Sequence, residues 1–200
     1  NAELIPLIMQ QHGPAGMVIG PMGFMSELTA NGYIPDTVVT AHYNALRGLN
    51  SGEKQKWLLQ IGRNEPDAYA IENQARAWFA DEPEFTPGTV RRRAAPLMDQ
   101  SGQVVSVTTT QFADKFCQAM MEQAREAEGI QAIDRLRLVH ADQPKIVFIL
   151  SNQPLPGITP DRLVTLDDLL LPGRIATVML RDQAITGPAM LALRHPDLFK

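Results

Sequence analysis

The clearest apolar run in the chain is Ile146-Val147-Phe148-Ile149-Leu150, which offers water no polar side. Residues 145–151 therefore read as a strand buried on both faces of a covered sheet. The run stops at Asn152-Gln153-Pro154. That places polar groups at the carboxyl end of the strand, the edge where open α/β sheets bind ligands. Upstream the pattern is helical. Residues 2–11, 24–30 and 37–49 are short segments separated by Gly and Pro. The turn pair Asn31-Gly32 closes the second, and Asp36 is placed to cap the third. Ser51 reads as the cap of a further helix with Trp57, Leu58 and Ile61 on one face, and Pro66 opens another. Along that helix Ile71, Ala75, Trp78 and Phe79 recur at helical spacing. Residues 1–82 are thus expected to form a small helical bundle.

Residues 83–102 break the pattern, with Pro83, Pro87-Gly88 and Pro96 around the basic triplet Arg91-Arg92-Arg93. This reads as a linker or long surface loop and as a domain boundary. Asp99-Gln100-Ser101-Gly102 is a turn signal. Beyond it the pattern predicts strands at 103–109, 135–140, 145–151 and 174–180, a helix at 111–128 ended by Gly129, and a short helix near 166–171. The short gap between 135–140 and 145–151 suits a hairpin. The expected fold class is α+β or α/β: an N-terminal helical bundle, then a mixed sheet of three to four strands with packed helices over residues 103–200.

Composition narrows the function classes. At 44% hydrophobic and 20% charged residues, the 200-residue chain can bury a real core. Its formal charge of −4 argues against broad binding to nucleic acid or anionic membranes, which needs a basic face. No apolar run approaches the ~20 residues that span a bilayer. One cysteine excludes an internal disulfide and favours a reducing, cytoplasmic setting. The start at Asn1, without Met, a basic n-region or an apolar h-region, reads as a fragment or processed product.

Cys117, His140 and Asn152 occur in the order nucleophile, base, orienter used by cysteine hydrolases. Against that, Cys117 aligns with Ala113, Met120, Met121 and Ala124 on an apolar stripe, beyond the expected helix's first turn, which reads as core. Polar pairs also fall near strand ends, His140 with Asp142 and Arg181 with Asp182, as solvated ends do whatever the function. The Gly-rich residues 13–23 would bring amides near a phosphate if they formed a strand, loop and helix. The G-x-G-x-x-G spacing is absent and Pro21 interrupts, so flexible turns explain the glycines. The four histidines show no metal-ligand spacing, no Cys pair exists, and no metal or other cofactor is expected.

Two features remain as contact sites. Met17, Met22, Phe24 and Met25 crowd the N-terminal region, where flexible thioethers suit a permissive binding face. Arg91, Arg92 and Arg93 can grip an acidic partner or phosphates, though a triplet without interleaved aromatics is weak evidence for nucleic acid. The sequence thus favours a non-enzymatic protein-interaction or scaffold domain of a larger soluble protein, binding a protein partner or itself. The alternatives are a cysteine-dependent hydrolase using Cys117 and His140, and a nucleic-acid accessory domain using the arginine triplet.

Overall fold

Apolar runs at Met17-Val18-Ile19, Trp57-Leu58-Leu59 and Ile146–Leu150 have no polar face, so each is stable only where both sides are covered. The protein places all three in one sheet. The computed structural model describes residues 4–170 and residue 194. In chain order the elements are α1 (Leu4–His12), β1 (Gly16–Gly20), α2 (Met22–Ala30), β2 (Val39–His42), β3 (Trp57–Ile61), α3 (Ala68–Phe79), β4 (Val90–Met98), β5 (Val104–Phe112), α4 (Lys115–Asp134), a 3-10 turn (Leu138–His140), β6 (Ile146–Leu150) and α5 (Leu166–Leu170). One sheet has the order β2-β1-β3-β6 with every pairing parallel, and β4 and β5 form a separate antiparallel ribbon.

Side chains alternate across the parallel sheet and feed two cores. Val18, Trp57, Leu59 and Ile61 pack with Leu4, Ile5, Ile8, Met25 and Leu28 of α1 and α2. Met17, Ile19 and Leu58 pack on the other face with Tyr43, Leu46, and Ala132, Ile133 and Leu136 at the end of α4. A third cluster joins Ile71 and Ala75 of α3, Cys117 and Met121 of α4, and Phe112 at the base of the ribbon. The chain steps from β1 to β2 on one side and then to β3 on the other. The carboxyl ends of β1 and β3 therefore form the topological switch point of a doubly wound sheet.

The expected α/β class holds, but its strands lie elsewhere than predicted. Three of the four parallel strands come from the region read as a helical bundle. Residues 37–49 contain β2 and not a helix, and Trp57-Leu58-Leu59-Gln60-Ile61 is a central strand buried throughout. Residues 13–23 do form a strand, turn and helix. Residues 135–140 are a turn after α4 and a 3-10 turn, with Arg137 in the left-handed region at φ 50°, so the expected hairpin with β6 is absent. The antiparallel pair is β4–β5, and the arginine triplet, expected in a loop, lies within β4. Strand β6 occupies a sheet edge among the described residues and is half-buried rather than covered. Trp78 is 73% exposed although it shares a helix face with Ile71 and Ala75. The strand expected at 174–180, and Arg181 and Asp182, lie outside the described residues.

Two glycines are fixed by packing. Gly129 does not end α4 but sits inside it, where a Cβ would lie 2.8 Å from Leu155 Cδ2. At Gly16 a Cβ would fall 2.0 Å from the Trp57 ring, whose Nε1 donates to Gly13 O at 2.8 Å. The ring is buried and held by that bond, so it has no room to retreat. Gly16→Ala is therefore expected to destabilise by about 2 kcal/mol or more. Gly23, on α2 with nothing within 4 Å of a Cβ, serves as the opposite case. Gly23→Ala should stabilise by up to ~1 kcal/mol, because the helix loses a conformationally free residue. Urea unfolding checks both, and the two midpoints should move in opposite directions.

Candidate functional site

The switch point between β1 and β3 is where a doubly wound sheet would hold a ligand, and here Pro21 and Gly62 meet. Gly62, at φ 64°, turns the backbone after β3, and the Pro21 ring lies over it, 3.6 Å from where a Cβ would stand. Tyr43 Oη donates to Gly62 O at 3.0 Å and to Ile61 O at 3.3 Å. Burial pushes the Tyr43 hydroxyl up to about 12, so it remains a donor. Beneath it, Gln60 is buried, and its Oε1 has no partner among the described residues.

Outward from this contact, polar groups of the carboxyl edge bind one another. Arg63 contacts Glu65, and its Nη1 donates to Asn152 Oδ1 at 2.6 Å. Asn44 and Asn64 pair at 3.1 Å, Asn64 Nδ2 donates to Ala124 O at 2.7 Å, and the Asn44 amide donates to Glu128 Oε1. At the centre lies Arg125, whose side chain is wholly buried. Its Nη2 donates to Glu126 Oε1 at 2.7 Å and its Nε to Oε2 at 3.2 Å, a fork that only a guanidinium supplies. Its Nη1 donates to both O and Oγ1 of Thr110, at 3.1 and 3.0 Å. Gln153 Nε2 donates to Glu126 Oε1 at 3.0 Å, and its Oε1 accepts from Thr109 Oγ1. The network so ties α4, β5 and the loop after β6 into one unit.

These bonds settle how the β4–β5 ribbon sits. Along the outer edge of β5, Thr108 O accepts from Asn152 Nδ2 at 2.9 Å and Thr110 O from Arg125, while the Phe112 amide donates to Gln118 Oε1 at 2.9 Å. One edge of the ribbon is docked on the body by side chains. The opposite edge is β4, which no other strand pairs among the described residues. The ribbon is thus an arm roughly 30 Å long, given nine residues per strand. Its tip is anchored by Asp99, whose carboxylate accepts from Ser101, Gln103 and Leu163.

The sequence candidates fall in separate places. Cys117 lies in the first turn of α4, not beyond it; its amide donates to the capping Asp114 at 2.8 Å. Its thiol is nonetheless raised from 9.0 to about 11, first by burial and then by Asp114. His140 lies past the far end of α4, so about 25 Å of helix separates the two. Asn152 bonds Arg63 and the arm rather than an imidazole. Met17 and Met25 are buried in the two cores, and Phe24 packs half-buried against the core that holds Met25. Of the expected methionine surface only Met22 is exposed, beside a shallow groove of about 390 Å³ with Ser26, Thr29, Thr40 and His42. Arg91, Arg92 and Arg93 are all exposed along β4. Sequence reasoning missed Arg125; an arginine among the small and apolar residues of α4 was the available signal.

Among the described residues no cluster of three or more His, Cys, Asp or Glu side chains is arranged to hold a metal, and no helix is long and apolar enough to cross a membrane. No known protein family, curated protein or solved structure matches the chain.

Two outcomes follow from this geometry. Arg125→Met leaves the Glu126 carboxylate buried and uncompensated and should cost about 3–5 kcal/mol in urea unfolding, whereas Arg125→Met with Glu126→Met should recover a large part of that loss. With its pKa raised from 9.0 to about 11, Cys117 holds about a hundredfold less thiolate at neutral pH than in the unfolded chain. Burial slows attack further, so iodoacetamide should label the native thiol more than a hundredfold more slowly than the urea-unfolded thiol, read by mass spectrometry.

Proposed function

We propose that this chain is a non-enzymatic protein-interaction and scaffold domain that docks an acidic partner protein on its β4–β5 arm. The observation that carries the reading is an imbalance in charge pairing. On the carboxyl edge of the sheet, Arg63, Arg125, Glu65, Glu126 and Glu128 are all bonded within the protein. On the arm, Arg91, Arg92 and Arg93 stand exposed and adjacent, and among the described residues none has a carboxylate partner. Arg93 alone reaches an acceptor, the uncharged Gln111 Oε1 at 3.0 Å. A guanidinium presents a planar fork of donors that suits bidentate binding of a carboxylate.

One face of the arm adds contact area. Arg92, Ala94, Pro96 and Met98 on β4 share it with Thr108, Ser106 and Val104 on β5, and all are exposed. Near the tip of this face Met98 and Val104 are 54% and 58% exposed. Exposed apolar side chains beside a polar rim are a contact surface. Nucleic acid fits less well. The chain is acidic overall, and Asp81, Glu82 and Glu84 lead into the arm. The only aromatic side chain on the ribbon, Phe112, is buried, so none is available for base stacking. A cytoplasmic setting accords with the lone, buried thiol.

Fluorescence anisotropy with a glutamate-rich peptide and with duplex DNA, each over a salt series, tests the proposal. Three exposed ion pairs are each worth up to about 1 kcal/mol, so reversing all three arginines to Glu should weaken peptide binding roughly 10- to 100-fold. Equal binding by the reversed protein would contradict the reading. Tighter binding of duplex DNA, with a steep salt slope, would replace it with the nucleic-acid one.

A further inference from the structure

We infer that the free edge of β4, from Val90 to Ala94, receives an extended acidic segment of the partner as an added strand. The inference rests on the interaction-domain reading and specifies its mode.

The hydrogen-bond parity of the ribbon supplies the first argument. In an antiparallel pair, facing residues alternate between those that bond each other and those whose amide and carbonyl groups point away. Thr108 and Thr110 carbonyls point away from β4, toward Asn152 and Arg125, and the Phe112 amide points away toward Gln118. Their facing residues are Ala94, Arg92 and Val90. These three must then turn their own N–H and C=O groups outward on the other side of the ribbon. Pro96 faces Ser106 at the same parity, which is where a residue without an N–H can sit on an edge strand. Four observations thus agree that Val90, Arg92 and Ala94 present a ladder of donors and acceptors. Among the described residues, no backbone or side-chain hydrogen bond occupies the groups of Arg92 and Ala94.

The second argument is charge. The triplet spans this same stretch, with Arg91 and Arg93 on one face of the ribbon and Arg92 on the other. A strand laid along the edge would set side chains directly opposite each of them, and opposite charges across strands are favourable. Three consecutive carboxylates match three consecutive guanidiniums, and the missing N–H of Pro96 ends the pairing on that side. Main-chain bonds would supply affinity and the arginines selectivity, as in other strand-addition interfaces. Charge and proline on an edge also guard it against unwanted pairing. Arginine's rigid fork is in addition suited to receiving a carboxylate.

The test uses the whole chain and a fluorescein-labelled peptide of sequence TVEEEVT. Amide exchange followed by NMR should show Arg92 and Ala94 becoming protected on binding. Ala94→Pro removes an outward N–H while leaving every arginine and every β4–β5 bond, and should weaken binding about tenfold, the loss of one well-made bond with its register. Ala94→Val should bind as the unaltered protein does. Unchanged affinity in Ala94→Pro, with no new protection at Arg92 and Ala94, would overturn strand addition. If Arg91→Glu with Arg93→Glu still abolished binding, the interaction reading would survive that result. If the double reversal bound equally well, both would fall, and the arginines would be edge guards alone. Should Ala94→Pro fail to fold, the exchange measurement on the unaltered protein decides by itself.

Discussion

The buried Arg125 guanidinium is the interaction on which the arrangement depends. A charge this deep is tolerable only when paired and fully hydrogen-bonded. Arg125 meets that condition by pairing with its neighbour Glu126 and by joining parts of the chain that are distant in sequence: the Thr110 backbone and hydroxyl, and through Glu126 the side chain of Gln153. Helix, ribbon and sheet edge are held in one register because the charge has no other way to be satisfied. The same bonds occupy one edge of the ribbon. They leave the other edge, with its arginines, facing outward.

This division explains why the carboxyl edge, the usual ligand site of such a sheet, is spent on structure. Pro21 lies against Gly62, Tyr43 donates to the Ile61 and Gly62 carbonyls, and Arg63, Asn64 and Asn152 bond to their neighbours. Polar groups that would otherwise orient a substrate hold the arm. On the ribbon, three guanidiniums without a carboxylate partner among the described residues lie beside an outward-facing backbone edge.

How much of this the sequence reveals depends on the element. Ile146–Leu150 is legible because five apolar residues in a row, β-branched and aromatic, are bounded by Pro144 and Pro154. Trp57–Ile61 carries a similar signal, but Gln60 interrupts it, and a helical stripe fits Trp57, Leu58 and Ile61 as well. Short apolar runs do not separate the two periods. β4 is hidden by Pro96 and by arginines, which are poor strand formers in a core yet suitable on an edge. The capping Asp114 moves the start of α4 past the predicted position, and Gly129 lies inside α4 beside Leu155 rather than at its end. Of the candidate site, the arginine triplet and Asn152 stand out in the sequence. Arg125 does not, because its role exists only once residues 110, 126 and 153 have been brought together by folding.

The central claim is that the ribbon has one edge bonded to the body and one edge open. Residue-resolved amide exchange of the free protein measures this directly. Arg91, Arg93, Ala95 and Leu97, which bond into β5, should exchange slowly, while Arg92 and Ala94 exchange as fast as solvated amides. Equal protection along residues 91–95, with no alternation, would contradict the account.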